Sequence, residues 1–152
     1  MAFVPVFVGA VVGGLVHLAR TERIIRHLGL YGPRRCVQNE TIRKALEQNE
    51  NLFQQGDAIL HLALREYMND RHSLQNTDLH DLENQDAVVE YYEHLDIEKY
   101  FQDFKLRAPQ ASEPVRKAKI FKAIIGAVAK DISKDYAVEY ALRIVKACIR
   151  YE

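Results

Sequence analysis

The side chains of this chain that could support catalysis or metal binding are its carboxylates, histidines and cysteines. The two cysteines, Cys36 and Cys148, lie far apart and match no metal-binding or redox spacing. This pattern predicts two idle thiols in a reducing compartment, with no bound metal and no cofactor. The histidines form no pair at the spacing of a metal-binding helix, so we interpret them as surface or boundary residues: His17, His27, His61, His72, His80 and His94.

One carboxylate stands at a distinctive position, in the stretch NENLFQQGDAILHLALREYM between Asn49 and Met68. Asp57 follows Gly56 where polar residues give way to apolar ones. The apolar positions after it recur at intervals of three and four, which predicts an amphipathic helix of about three turns that starts at this Gly-Asp pair. Asp57 would then be the N-cap of that helix.

The elements that position these residues are predicted to be helices. Thr21 and Asn39 are expected to cap the starts of two helices, and Gly29 is expected to end the first. The last third of the chain predicts two further helices, separated near Asp131 to Lys134. No segment alternates strictly between apolar and polar residues, so the predicted fold class is all-α.

Composition and charge limit the remaining possibilities. With 152 residues, 48% of them hydrophobic, the chain is long enough for one core and too short for two ordinary domains. Its 21 basic and 21 acidic residues balance but are segregated: Arg20 to Lys44 holds seven basic and two acidic residues, and Ala45 to Phe104 holds three and fourteen. The last segment is basic again. Basic flanks that met in the fold would form a surface for phosphate or an acidic partner, whereas separate flanks would be ordinary solvated helix faces.

The first twenty residues form a separate apolar segment, residues 1–20. It is shorter than a membrane-spanning helix requires, and Pro5 and three glycines weaken any helix in it, so no membrane span is predicted. Its lack of acids and the arginines after it suit an organellar import signal. A tail that docks on a partner protein is the alternative.

Three segments in this order resemble the ribonuclease III domain. NENLFQQGDAIL resembles the family signature Asn-Glu-Arg-Leu-Glu-Phe-Leu-Gly-Asp-Ala-Val-Leu, and LHDLENQDAVVEYYEHLDIEKYF is similar to the segment that follows it. KAKIFKAIIGAVAKD is similar to the family pattern Ala-Asp-x-x-Glu-Ala-Leu-Ile-Gly-Ala-Ile-Tyr-Leu-Asp. The resemblance covers residues 21–152, without a double-stranded RNA-binding domain, and implies a ribonuclease III endonuclease-domain-like helical bundle. The signature positions that agree are Asn49, Glu50, Leu52, Gly56, Asp57, Ala58 and Leu60.

The resemblance also implies where a catalytic metal site would lie and that it is lost. Family members hold divalent magnesium with four carboxylates, two from the signature and two from the later Asp-x-x-Glu. Here those positions are Phe53, Asp57, Lys119 and Lys122, so one carboxylate of four is retained. Two ammonium groups in place of carboxylates oppose a bound cation. We therefore expect no metal and no enzymatic activity at this degenerate metal site.

The two lysines permit three interpretations. Asp57 could pair with Lys119 or Lys122 as an internal strut that replaces the metal. The lysines could instead face RNA phosphate directly. They could also occupy surface positions without a role.

Two contact surfaces are predicted. The signature helix of the family packs against a second subunit, which implies a homodimer, or a heterodimer with another ribonuclease III-like chain, through Leu52, Phe53 and Ile59. Phe53 could equally fill the vacated metal pocket. The predicted RNA contact, with ribosomal RNA as the expected partner, consists of Arg20, Arg23, Arg26, Arg34 and Arg35.

The predicted function is that of a catalytically inactive, structural, RNA-associated subunit of a ribonucleoprotein. Degenerate domains of this family are found in the large subunits of mitochondrial ribosomes and in mitochondrial RNA-processing complexes. The resemblance therefore implies a mitochondrial setting in the matrix, with the large ribosomal subunit as the expected assembly. One alternative is an active endonuclease on double-stranded RNA that recruits acids from Glu47, Glu50 or Glu90. The other is a helical adaptor between proteins of an RNA-processing complex.

Overall fold

The computed structural model of the chain describes residues 20–70, 79–101 and 113–149, and every regular element in them is helical. The predicted all-α class is confirmed for these residues. None of their helices is long and apolar enough to cross a membrane. The elements are α1 (20–27), α2 (Asn39–Leu46), α3 (Glu50–Asp70), α4 (Leu79–Glu83), α5 (Gln85–Leu95), a short 3-10 turn (Glu98–Tyr100), α6 (Glu113–Asp131) and α7 (Lys134–Ile149). Most of the segment 1–20 lies outside the described residues.

Helix α6 is the centre of the bundle because it packs against α2, α3, α5 and α7. Its middle is apolar almost all round, as expected for a helix surrounded by others. The polar residues of α6 are confined to its two ends and to one edge. The buried residues in its middle are Ile120, Phe121, Ala123, Ile124, Ile125, Gly126, Ala127 and Val128.

Helices α3 and α6 cross at a contact between their backbones. A Cβ atom at Gly56 would overlap the carbonyl oxygen of Lys122, and a Cβ atom at Gly126 would overlap that of Leu52. Each helix therefore supplies the glycine that lets the other approach. A glycine inside a helix costs about 1 kcal/mol relative to alanine, so its presence here reflects the close approach.

The start of α3 differs from the prediction. The helix begins at Glu50 and runs straight through Gly56 and Asp57, so Asp57 lies in a helix interior and is not an N-cap. Asn49 caps α3 instead: its Oδ1 accepts a hydrogen bond from the Leu52 N–H at 3.1 Å. The Gly-Asp pair resembled a helix start because the packing of α6 on Gly56 is not visible in local sequence.

The other two predicted N-caps, Thr21 and Asn39, do not cap helices but form a hydrogen bond that connects two of them. Thr21 lies inside α1 and its hydroxyl donates to Asn39 Oδ1 at 2.6 Å, which joins α1 to α2. The residue before α2 is Gln38, whose N–H donates to Asp131 Oδ2 at 2.8 Å. The predicted stop at Gly29 is confirmed, since its φ of 74° is the left-handed conformation that glycine favours.

The last two helices are separated where the sequence predicted. Helix α6 ends at Asp131, and Ser133 caps α7 through its Oγ, which accepts from the Tyr136 N–H at 3.0 Å. The hydroxyl of Tyr140 in α7 donates a hydrogen bond at 3.2 Å to the carbonyl oxygen of Leu28, the residue that follows α1. Burial raises the pKa of Tyr140 far above its ordinary value, so this hydroxyl keeps its proton.

The crossing predicts that Gly56→Ala and Gly126→Ala each lower the free energy of unfolding by about 3 kcal/mol, because a methyl group there meets rigid backbone. Thermal or urea unfolding followed by circular dichroism measures the loss. Gly32→Ala is the matched control, since its nearest contact would be the Arg35 carbonyl oxygen at 3.5 Å. Equal stability of all three variants would contradict the crossing.

Candidate functional site

The four residues of the degenerate metal site come together at the crossing of α3 and α6. Phe53 and Asp57 are one turn apart on α3, and Lys119 and Lys122 are three residues apart on α6. Lys122 Nζ lies 2.7 Å from Asp57 Oδ1. Lys119 Nζ and Lys122 Nζ lie 5.5 Å and 5.7 Å from the centre of the Phe53 ring. We call these four residues the lysine cluster.

For Lys122, the geometry favours the ion pair with Asp57 over a surface position without a role. Its ammonium forms an ion pair with Asp57, so the predicted strut between α3 and α6 is present in the structure. The Lys122 side chain is only 17% exposed, whereas Asp57 is 50% exposed and open to solvent. Lys119 makes no ion pair with a described residue, and its ammonium lies near the face of Phe53.

The lysine cluster does not fit a divalent metal ion. Magnesium requires several oxygen ligands in octahedral arrangement, and the cluster offers one carboxylate, already neutralised by an ammonium 2.7 Å away. No group of three or more His, Cys, Asp or Glu side chains among the described residues could hold a metal. Glu47, Glu50 and Glu90, the acids that an active enzyme would recruit, form no such group with Asp57.

A second side-chain pair, between α3 and α4, was not predicted from the sequence. His61, one turn beyond Asp57 on α3, lies with its Nδ1 2.6 Å from Oε1 of Glu83 on α4. The contact fastens α4 to α3. The spacing of four between Asp57 and His61 was available in the sequence, but nothing local identified Glu83 as the partner.

The predicted RNA surface lies on α1 and on the segment between α1 and α2. The guanidinium of Arg26 sits 4.1 Å from the centre of the Tyr31 ring and pairs with Glu22 at 3.2 Å. The guanidinium of Arg35 sits 4.7 Å from the Tyr136 ring of α7. A guanidinium stacked on a ring still presents its N–H donors at the edge, where phosphate binds. Arg23 and Arg34 are also exposed, and Arg20 is partly exposed.

The predicted dimer surface needs correction at two of its three residues. Leu52 is 4% exposed and Ile59 is 6% exposed, and both pack in the core of their own chain. They offer no area to a second subunit because α3 turns that face toward α6. Phe53 is partly exposed and is the one predicted interface residue that reaches the surface.

Neither cysteine forms a disulfide. Cys36 is exposed and Cys148 is partly buried. Burial, and then the nearby Glu90, raise the pKa of the Cys148 thiol to about 11, which keeps it protonated and unreactive at neutral pH.

The described residues form an all-helical bundle whose central crossing carries the lysine cluster, with Lys122 paired to Asp57. Comparisons of the chain with protein-family models, with curated proteins and with solved structures find no match.

The ion pair predicts energetic coupling between Asp57 and Lys122. In a double-mutant cycle of Asp57→Asn and Lys122→Met, we expect a coupling of about 0.5 to 1 kcal/mol, limited because solvent screens the half-exposed carboxylate. Urea unfolding of the four proteins measures it. The cycle for Glu40 and Lys44 is the matched control, because these exposed groups are 3.8 Å apart and should couple by less than about 0.3 kcal/mol. If the losses in the free energy of unfolding from the two substitutions were strictly additive, the predicted coupling between Asp57 and Lys122 would be wrong.

Proposed function

We propose that this chain is a catalytically inactive ribonuclease III-like protein that serves as a structural, RNA-associated subunit of a ribonucleoprotein. The proposed setting is the large subunit of the mitochondrial ribosome, in the matrix, as the resemblance implies. The single observation that carries the proposal is the convergence of Phe53, Asp57, Lys119 and Lys122. Asp57 and Lys122, 65 positions apart in sequence, meet where the resemblance assigns a common metal site.

The contact between the resembling segments supports the proposal. Gly56 and Gly126 occupy the glycine positions of the two family patterns, and each lies against the backbone of the other segment. A chance likeness between two short stretches gives no reason for them to pack on each other through those residues. The same packing is also the strongest support for the proposed ribonuclease III-like fold.

The chemistry of the lysine cluster supports the absence of catalysis. Hydrolysis of a phosphodiester by this family needs metal-bound water, and the donors present do not hold the metal. The Asp57 to Lys122 ion pair instead connects α3 to α6 at this position. Because the Asp57 carboxylate is half exposed, the ion pair contributes little net stability, and its proposed role is to satisfy the retained carboxylate.

The proposed RNA contact is the arginine surface, Arg20, Arg23, Arg26, Arg34 and Arg35. Stacking of Arg26 on Tyr31 and of Arg35 on Tyr136 orders two guanidinium groups before RNA arrives. An ordered side chain loses less conformational entropy on binding. Proposed protein partners are neighbouring ribonucleoprotein subunits and a second ribonuclease III-like chain, identical or different, near Phe53.

A cleavage assay tests the absence of catalysis. With Mg²⁺ or Mn²⁺ and a long RNA duplex, we expect no cleavage by the native chain, because three of the four ligand positions lack a carboxylate. The triple variant Phe53→Glu, Lys119→Asp, Lys122→Glu restores the family residues and should bind Mn²⁺ in isothermal titration calorimetry. Cleavage by the native chain that Asp57→Asn abolishes would overturn the proposal.

Salt dependence tests the arginine surface. Affinity for RNA should fall steeply as salt rises, and Arg34→Ala with Arg35→Ala should reduce the slope of log K against log salt by about 1 to 2. Fluorescence anisotropy with a labelled RNA measures both. Arg65→Ala with Arg143→Ala, two exposed arginines elsewhere, is the control of equal charge. If both double variants changed the salt slope equally, the RNA contact would lie outside the arginine surface.

A further inference from the structure

An open cavity of about 440 Å³ lies where α2 ends, α3 begins and α6 ends. Its volume is within the range of about 300 to 1,000 Å³ that small-molecule sites occupy. Two lysines, four carboxamides and one apolar side chain line it, and none of the lining residues is acidic. These residues are Lys44, Asn49, Asn51, Leu52, Gln54, Gln55 and Lys130. We call this the amide cavity.

The charge of the amide cavity is positive. Lys130 makes no ion pair with a described residue, and Lys44 approaches only the exposed Glu40, at 3.8 Å. Asp131, which follows Lys130, accepts a hydrogen bond from the Gln38 N–H at 2.8 Å, and this ties its carboxylate to the segment before α2. Glu50 accepts from Gln54 Nε2 at 3.4 Å. Two ammonium groups facing one cavity attract an anion.

The carboxamides add a second kind of recognition. Each one carries two N–H donors and an oxygen acceptor, the same groups that the edges of nucleic-acid bases present. Asn49 Oδ1 is already engaged by the Leu52 N–H, which leaves the Asn49 amino group as a donor. Asn51 and Gln55 are exposed at the start of α3, and nothing in the described chain hydrogen-bonds their side chains.

We propose that the amide cavity binds an unpaired nucleotide, with its phosphate between Lys44 and Lys130 and its base edge against the carboxamides. This inference rests on the proposed RNA association, and it specifies an unpaired nucleotide as the part of the RNA that the protein recognises. A base in a duplex presents its pairing edge to its partner, whereas an unpaired base presents that edge to the protein. The cavity therefore selects a looped or single-stranded nucleotide.

The test uses the full chain, a fluorescein-labelled single-stranded oligoribonucleotide and AMP as probes. In anisotropy titrations, Lys44→Ala with Lys130→Ala should weaken single-strand binding by about tenfold, because two phosphate contacts are lost. Lys99→Ala with Lys134→Ala removes the same charge outside the cavity and should change affinity by less than about threefold. Titration of the ¹⁵N-labelled chain with AMP should shift the side-chain amide signals of the lining Asn and Gln residues.

The outcomes separate this inference from the proposed function. Equal weakening by the two double variants, with unshifted amide signals, would overturn the nucleotide site and leave RNA association standing. Amide shifts with AMP but no binding of any RNA would support the cavity and overturn RNA association. No binding of either probe by the native chain would overturn both.

Discussion

The close crossing of α3 and α6 is the constraint on which the rest of the structure depends. Gly56 and Gly126 remove the side chains that would hold the helices apart, so each helix backbone rests on the other. The short distance between the two helix axes determines which side chains face each other one helical turn before and after the two glycines. Asp57 reaches Lys122 because its neighbour Gly56 lies against the Lys122 carbonyl. Because α6 also contacts α2, α5 and α7, its position relative to α3 sets the positions of the other helices.

The lysine cluster supplies its own positive charges at this crossing. Four converging carboxylates repel one another unless a cation lies between them, whereas the lysine cluster contains its own cations. Lys122 neutralises Asp57, and the Phe53 ring offers its negative face to both ammonium groups. Under the proposed function, the same four residues stand where the family resemblance places metal ligands. The arginine surface and the amide cavity carry the positive charge that we propose contacts RNA.

The sequence predicted the helical class, the break near Asp131 and the stop at Gly29, because these depend on local periodicity and on glycine conformation. It also selected the four residues of the lysine cluster, through the resemblance and not through periodicity. It failed at the start of α3, where a glycine needed for helix packing looked like a boundary. It assigned Leu52 and Ile59 to an interface because the sequence does not distinguish an apolar residue that packs within its own chain from one that packs on another chain. The amide cavity joins three elements, so no single stretch indicated it.

Sedimentation of the endogenous protein from gently lysed cells, with the co-purifying RNA and proteins identified, tests the proposed ribonucleoprotein association. We expect the protein to migrate with a large ribonucleoprotein particle and to leave it when nuclease destroys the RNA. Migration as a small free species that cleaves duplex RNA in the presence of magnesium would contradict it.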